Sequence, residues 1–185
     1  FKGQSRFVPP PRSITDITAI LDQYKPDPTK TATLSAVADA QPPTGAAKAE
    51  LARFFFKRSR AAYELGRVKQ PLKDIRTAVR YRKEAGLSVA PYMAPLMVAE
   101  IAAGNTRNAL RVANEYLNSP ESSRRKGTAA TFMAWAGQMK LRTGDIEAGE
   151  NRLRDAEAGL EDPGFMRWHA YDKVFRHYRT TIRRT

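Results

Sequence analysis

SRAAYELGRVKQPLKDIRTAV, residues 59–79, decides how the rest of the chain is read. A helical pattern runs into Gly66 and stops, and a second begins within a few residues, with Pro71 near its start. Glycine suits a helix end because it enters the left-handed region with no Cβ penalty. Proline is harmless in a first turn, where its missing N–H would have no partner inside the helix. The stretch therefore reads as helix, turn, helix. The arrangement recurs around Gly104 and Gly144, each preceded by a helical run ending in IAAG or KLRTG. At +5, +9 and +12 from the first glycine stand Pro71, Ile75 and Ala78. The same offsets hold Ala109, Ala113 and Tyr116 after the second, and Gly149, Leu153 and Ala156 after the third. The glycines lie 38 and 40 residues apart. Periods in this range belong to helical solenoids, in which each hairpin buries its apolar face by stacking on its neighbours.

Working outward, residues 1–12 contain VPPPR and read as an extended lead. Ser13 is an N-cap for SITDITAILDQYK, with Asp16 in its first turn and Ile14, Ile17, Ile20 and Leu21 as its apolar stripe. KPDP ends that helix, because a residue before proline is pushed out of helical geometry. TKTATLSAVADAQ follows as a second short helix, so 13–42 reads as a helical hairpin. A long helix is expected over about 46–65, with Leu51, Phe54, Phe55, Ala62 and Leu65 on or beside its buried face, and a partner over about 70–84. Further hairpins are expected near 90–119 and 128–162. The segment 164–181, with Phe165, Trp168 and Phe175, is expected to cap the last open face.

Composition narrows the function. A chain of 185 residues suits one domain, and 42% hydrophobic with 28% charged residues describes a globular chain. With no cysteine, disulfides, thiolate catalysis and cysteine-based zinc sites are excluded. No run reaches the length of a membrane span. The start, FKGQSRFVPPP, has neither an initiator Met nor an apolar signal core, as in a processed exported protein or a piece of a longer one. The net charge of +13 is unevenly placed: residues 53–83 hold eleven Lys and Arg against Glu64 and Asp74, and 167–184 hold six against Asp172. Such a field favours anionic partners.

At the repeated positions the sequence resembles the tetratricopeptide repeat (TPR) family, with 52–85, 90–123 and 130–163 laid onto its pattern. The small position of the first helix holds Ser59, Met97 and Gly137; those of the second hold Pro71, Ala109 and Gly149, then Ala78, Tyr116 and Ala156. Met97 and Tyr116 depart from that pattern, the usual Leu-Gly pair is missing, and both spacings exceed the family's. The resemblance implies an all-α, TPR-like solenoid with an N-terminal hairpin and a C-terminal capping helix. A narrower resemblance covers roughly the first 80 residues, from SRFVPPPRSITDI through ARFFFKRSRAAYELGR. It is to the N-terminal repeat region of exported bacterial CHAT-domain (caspase-like) proteins. It implies a docking or regulatory region of a larger protein, periplasmic or otherwise exported, with a cytoplasmic location as the alternative.

The sequence offers little chemistry. GxxxxGK[ST] and GxGxxG loops are missing. His169 and His177, two turns apart, are too distant to chelate one metal together. Asp145, Glu147 and Glu150 follow Gly144, where acidic groups favour a helix N-terminus. SSRRKGT, 122–128, reads as a solvated loop whose Thr128 caps the next helix. The expectation is a non-enzymatic chain with no cofactor.

The informative feature is a groove. In TPR-like solenoids the first helix of each hairpin lines the concave face. The matching positions are Arg53, Phe56, Lys57, Arg60 and Tyr63 in the first copy, Val98 in the second, and Trp135, Gln138 and Arg142 in the third. Cationic walls, aromatics and an apolar centre suit a peptide or protein segment bearing acidic residues. The pattern departs from TPRs that clamp chaperone C-termini, since Phe56, Arg60 and Pro95 occupy the clamp positions. The rival expectation is nucleic acid or another polyanion held by 53–83 and 167–184, with bases stacked on aromatics; no nucleic-acid motif accompanies it.

Overall fold

The glycine punctuation divides the chain much as the sequence suggests. The structure, a computed structural model, describes residues 13–23 and 27–160. They contain α1 (Ile14–Gln23), α2 (Pro28–Asp39), α3 (Lys48–Glu64), α4 (Lys69–Glu84), α5 (Ala90–Ala102), α6 (Thr106–Leu117), α7 (Pro120–Arg124), α8 (Lys126–Arg142) and α9 (Ile146–Leu160), and no strand among the described residues. The extended lead at 1–12 and the expected capping helix at 164–181, with both histidines, lie outside the described residues.

Helices start and stop for local reasons. The Ser13 hydroxyl accepts from the Asp16 amide at 3.1 Å and the Asp16 carboxylate accepts from the Ser13 amide at 3.2 Å, which satisfies two N-terminal donors at once. Asp27 caps α2, its carboxylate accepting from the Thr29 amide at 2.9 Å, with Pro28 at the first helical position. Gly66, Gly104 and Gly144 have φ of 73°, 76° and 86°. In each case the amide after the glycine donates back to a carbonyl five residues earlier: Arg67 to Ala62, Asn105 to Glu100, Asp145 to Lys140, at 2.8–3.0 Å. This left-handed closure satisfies carbonyls that a helix end leaves open.

Packing follows chain order. α2 lies on α3, α3 on α4, α4 on α5, α5 on α6, α6 on α8 and α8 on α9. Ala38, Ala61 and Ala62 join α2 to α3. Ala52, Ile75, Ala78, Tyr92 and Ala99 join α3, α4 and α5. The largest cluster includes Met93, Met97, Val112, Tyr116, Phe132 and Met139, from α5, α6 and α8. Each large side chain buried there contributes about 1.5–3 kcal/mol relative to leaving it in water. By contrast, Ile14, Ile17 and Ile20 of α1 lie exposed.

The nine positions aligned by the glycine offsets are all buried. Twelve residues separate the two crossing positions of each pair, and the structure brings these positions together. The Ser59 hydroxyl donates to the Pro71 carbonyl at 2.9 Å. Met97 and Ala109 share one cluster. A Cβ on Gly137 would lie 2.9 Å from the Gly149 carbonyl oxygen. Tyr116, too large for a small-residue position between two helices, is accommodated because its ring reaches the next pair and stacks on Phe132 at 4.1 Å.

One local expectation is corrected. The run 122–128 is not a single loop capped by Thr128: residues 120–124 form α7, and α8 begins at Lys126 with Arg125 as its N-cap. Pro120 starts a turn of helix here, as proline does at a first helical position.

Candidate functional site

Helix α3 carries five of the nine candidate groove residues, and its geometry follows from what surrounds it. Ala52, Ser59, Ala61 and Ala62 are buried against α2 and α4. Arg53, Lys57, Arg60 and Tyr63 are left exposed, Tyr63 at 51%. Phe56 is half-buried, one face of its ring stacked on Tyr92 of α5 at 4.4 Å and 9°. Val98 of α5 and Trp135 and Gln138 of α8 are half-buried, and Arg142 at the end of α8 is exposed. Trp135 packs against the α5–α6–α8 cluster. No hydrogen bond, ion pair or ring contact among the described residues joins the α3 row to Trp135, Gln138 or Arg142.

Charge pairing separates the basic segment into two classes. Arg58 holds Asp74 through two hydrogen bonds of 2.7 and 2.8 Å and donates a third, of 3.0 Å, to the Ala40 carbonyl. The Asp74 side chain is 1% exposed and that of Arg58 16%, so this pair clasps α3, α4 and the end of α2 beneath the surface. Arg76 grips Glu100 of α5 at 2.8 Å through two nitrogens, and the Asn105 amide donates to the same carboxylate at 3.0 Å. Arg67 pairs with Asp39, Arg80 with Glu84, and Lys83 with Glu115. Arg82 donates to the Ser88 carbonyl and lies 4.8 Å from the Tyr92 ring centre. Arg53, Lys57, Arg60, Lys69 and Lys73 have no ion-pair partner among the described residues. Three of those five form the α3 row.

The perturbed acids lie outside that row. A hydrogen bond from Arg67 holds the Asp39 carboxyl below its usual range, with a smaller charge attraction in the same direction. Hydrogen bonds from Lys48 and Lys140 lower Glu84 and Asp145 in the same way. All three are surface ion pairs that tie elements together.

No protein-family model and no curated protein matches this sequence. The site is therefore read from its own chemistry. No cluster of His, Asp and Glu suited to a metal ion exists among the described residues, and none of the helices described is long and apolar enough to cross a membrane.

Sequence reasoning missed the three-helix cleft between α4, α5 and α6, of about 370 Å³, lined by Val79, Met93, Leu96, Asn108, Arg111 and Glu115 among others. One signal was present in the sequence. Glu100 is the only charged residue of APYMAPLMVAEIA, and a lone acid in an apolar helix has to find a cation.

Proposed function

We propose that this chain is a non-catalytic protein- or peptide-binding scaffold of TPR-like repeats, with the exposed α3 row as the cationic wall of its recognition groove. The observation that carries this reading is the set of cations with no ion-pair partner among the described residues. In a segment where other arginines and lysines bind carboxylates of neighbouring helices, Arg53, Lys57 and Arg60 stay exposed and aligned, with Tyr63 beside them. A row of cations with an aromatic neighbour suits an acidic segment of a partner protein. The TPR-like part is supported by the crossing pairs Ser59–Pro71 and Gly137–Gly149, which recur at the same separation in two helix pairs. Service as the recognition region of a larger exported protein is part of the same proposal, and it rests on the resemblance of the first 80 residues.

The test is fluorescence anisotropy with a pooled library of acidic peptides and a random single-stranded DNA, each at two salt concentrations. Sequence-selective peptide binding that survives the higher salt, and that Arg53→Glu with Arg60→Glu abolishes at unchanged helicity, is the expected result. Full peptide affinity in the double variant would remove the α3 row from the site. Tight DNA binding that collapses with salt would assign the row to phosphate contacts instead.

A further inference from the structure

The cleft between α4, α5 and α6 is built from three helix faces at helical spacing. Arg76, Val79 and Lys83 form one wall; Val89, Met93, Leu96 and Glu100 form the floor; Asn108, Arg111, Val112 and Glu115 form the other wall. One part of its lining is charge-satisfied, because Glu100 accepts from both Arg76 and Asn105. Elsewhere two cations share one carboxylate: Lys83 lies 3.4 Å and Arg111 3.9 Å from Glu115. Both contacts are long for a charge-assisted hydrogen bond, and all three side chains are more than 40% exposed. The Asn108 side-chain amide, half-buried in the same wall, makes no hydrogen bond among the described residues. Between these polar groups the open aliphatic surface comes from Val79, Val89 and Leu96, which are half-buried, while Met93 and Val112 behind them belong to the core.

We propose that this cleft binds a small aliphatic monocarboxylate. Its carboxylate would sit between Lys83 and Arg111 within reach of the Asn108 amide, and its chain would lie against Val79, Val89 and Leu96. A second carboxylate there gives each cation a partner of its own and uses the free amide donor. The chain removes aliphatic floor from water, which is favourable in proportion to the area covered. A free acid fits better than the end of a polypeptide. A chain end would set a peptide N–H and C=O against Val79 and Leu96, where methylenes remove more aliphatic surface from water. This site is separate from the α3 row and does not depend on it.

Isothermal titration of the whole chain with acetate, butyrate, hexanoate and octanoate tests the assignment, with hexanol and N-acetyl-leucine as controls. Affinity is expected to rise along the series by at most about fourfold per CH₂, the factor that full burial of one methylene supplies. Lys83→Ala with Arg111→Ala is expected to weaken hexanoate at least tenfold, while Glu115→Gln, which frees both cations, strengthens it. These side chains are exposed, so circular dichroism should be unchanged. Saturable hexanoate binding with dissociation constants on the order of 1 mM or below, lost in the double variant, supports the proposal. Four results would overturn it: no saturable binding, no dependence on chain length, equal binding of hexanol, or tighter binding of N-acetyl-leucine. The last would reassign the cleft to polypeptide ends.

Discussion

Gly137 and Gly149 let the α8 and α9 backbones approach until neither position has room for a methyl group. A Cβ on Gly137 meets a backbone oxygen at 2.9 Å, whereas one on Gly149 first meets the flexible Leu141 side chain at 2.7 Å and the Gly137 oxygen only at 3.1 Å. Overpacking costs about 1–3 kcal/mol, and alanine returns at most about 1 kcal/mol of helix propensity. Gly137→Ala is therefore expected to lose stability in urea denaturation, and more than Gly149→Ala does. Equal or reversed losses would mean that the crossing is looser than its geometry. At Arg58 the governing effect is desolvation. Arg58→Met leaves the Asp74 carboxylate buried without its cation and is expected to cost about 3–5 kcal/mol. Adding Asp74→Leu should recover most of that loss, because the stranded charge is then gone. A double variant as unstable as the single one would show that the Ala40 contact, not the ion pair, was the important one.

Between elements, two kinds of joint occur, and they respond to different variables. The α6–α8 joint is apolar: Tyr116 stacks on Phe132 with both rings buried. Tyr116→Ala is expected to cost about 3–5 kcal/mol, read as a lowered midpoint in thermal denaturation with no dependence on salt. Surface pairs join Asp39 of α2 to Arg67 in the α3–α4 turn, Lys48 of α3 to Glu84 of α4, and Lys140 of α8 to Asp145 in the turn before α9. Each carboxyl titrates below its ordinary value, 3.8 for the aspartates and 4.5 for Glu84, mainly through the hydrogen bond it accepts. A lowered folded pKa means that the unfolded chain binds more protons in this window. The stabilisation is complete above the ordinary values and is lost as pH falls through the lowered ones. The urea midpoint should thus hold steady down to about pH 5 and decline below it. Arg67→Gln should make the decline shallower. Solvent and salt screen these pairs, so the decline should also shrink in high salt; a slope indifferent to both changes would point to other acids.

At the scale of the molecule, joints between consecutive helices predict graded behaviour. Deleting residues 126–160, α8 and α9, removes one side of the apolar cluster but leaves the α2–α5 contacts intact. The shortened chain is expected to keep helical circular dichroism and to unfold with a smaller urea dependence, since that slope follows the surface exposed. Complete loss of helicity would mean that the helices fold as one indivisible core and not as a series of pairs, and it would count against the repeat reading.

How much of this was legible beforehand differs between scaffold and surface. The sequence determined the helix-and-turn scheme. A glycine's tolerance of positive φ and the 3.6-residue period are local properties, so Gly66, Gly104 and Gly144 with their offsets marked nine positions that are all buried. It also marked Arg53, Lys57 and Arg60 as one stripe, because three side chains on one helix share a face by spacing alone. Only the tertiary structure decided which cations of this segment meet a carboxylate. The carboxylates that neutralise Arg58, Arg67 and Arg76 lie 16, 28 and 24 residues away, on helices whose approach depends on packing. Charge counted along the chain ranked these arginines with the α3 row. Charge paired in space separates them, because an ion pair depends on distance between helices, which no local pattern encodes.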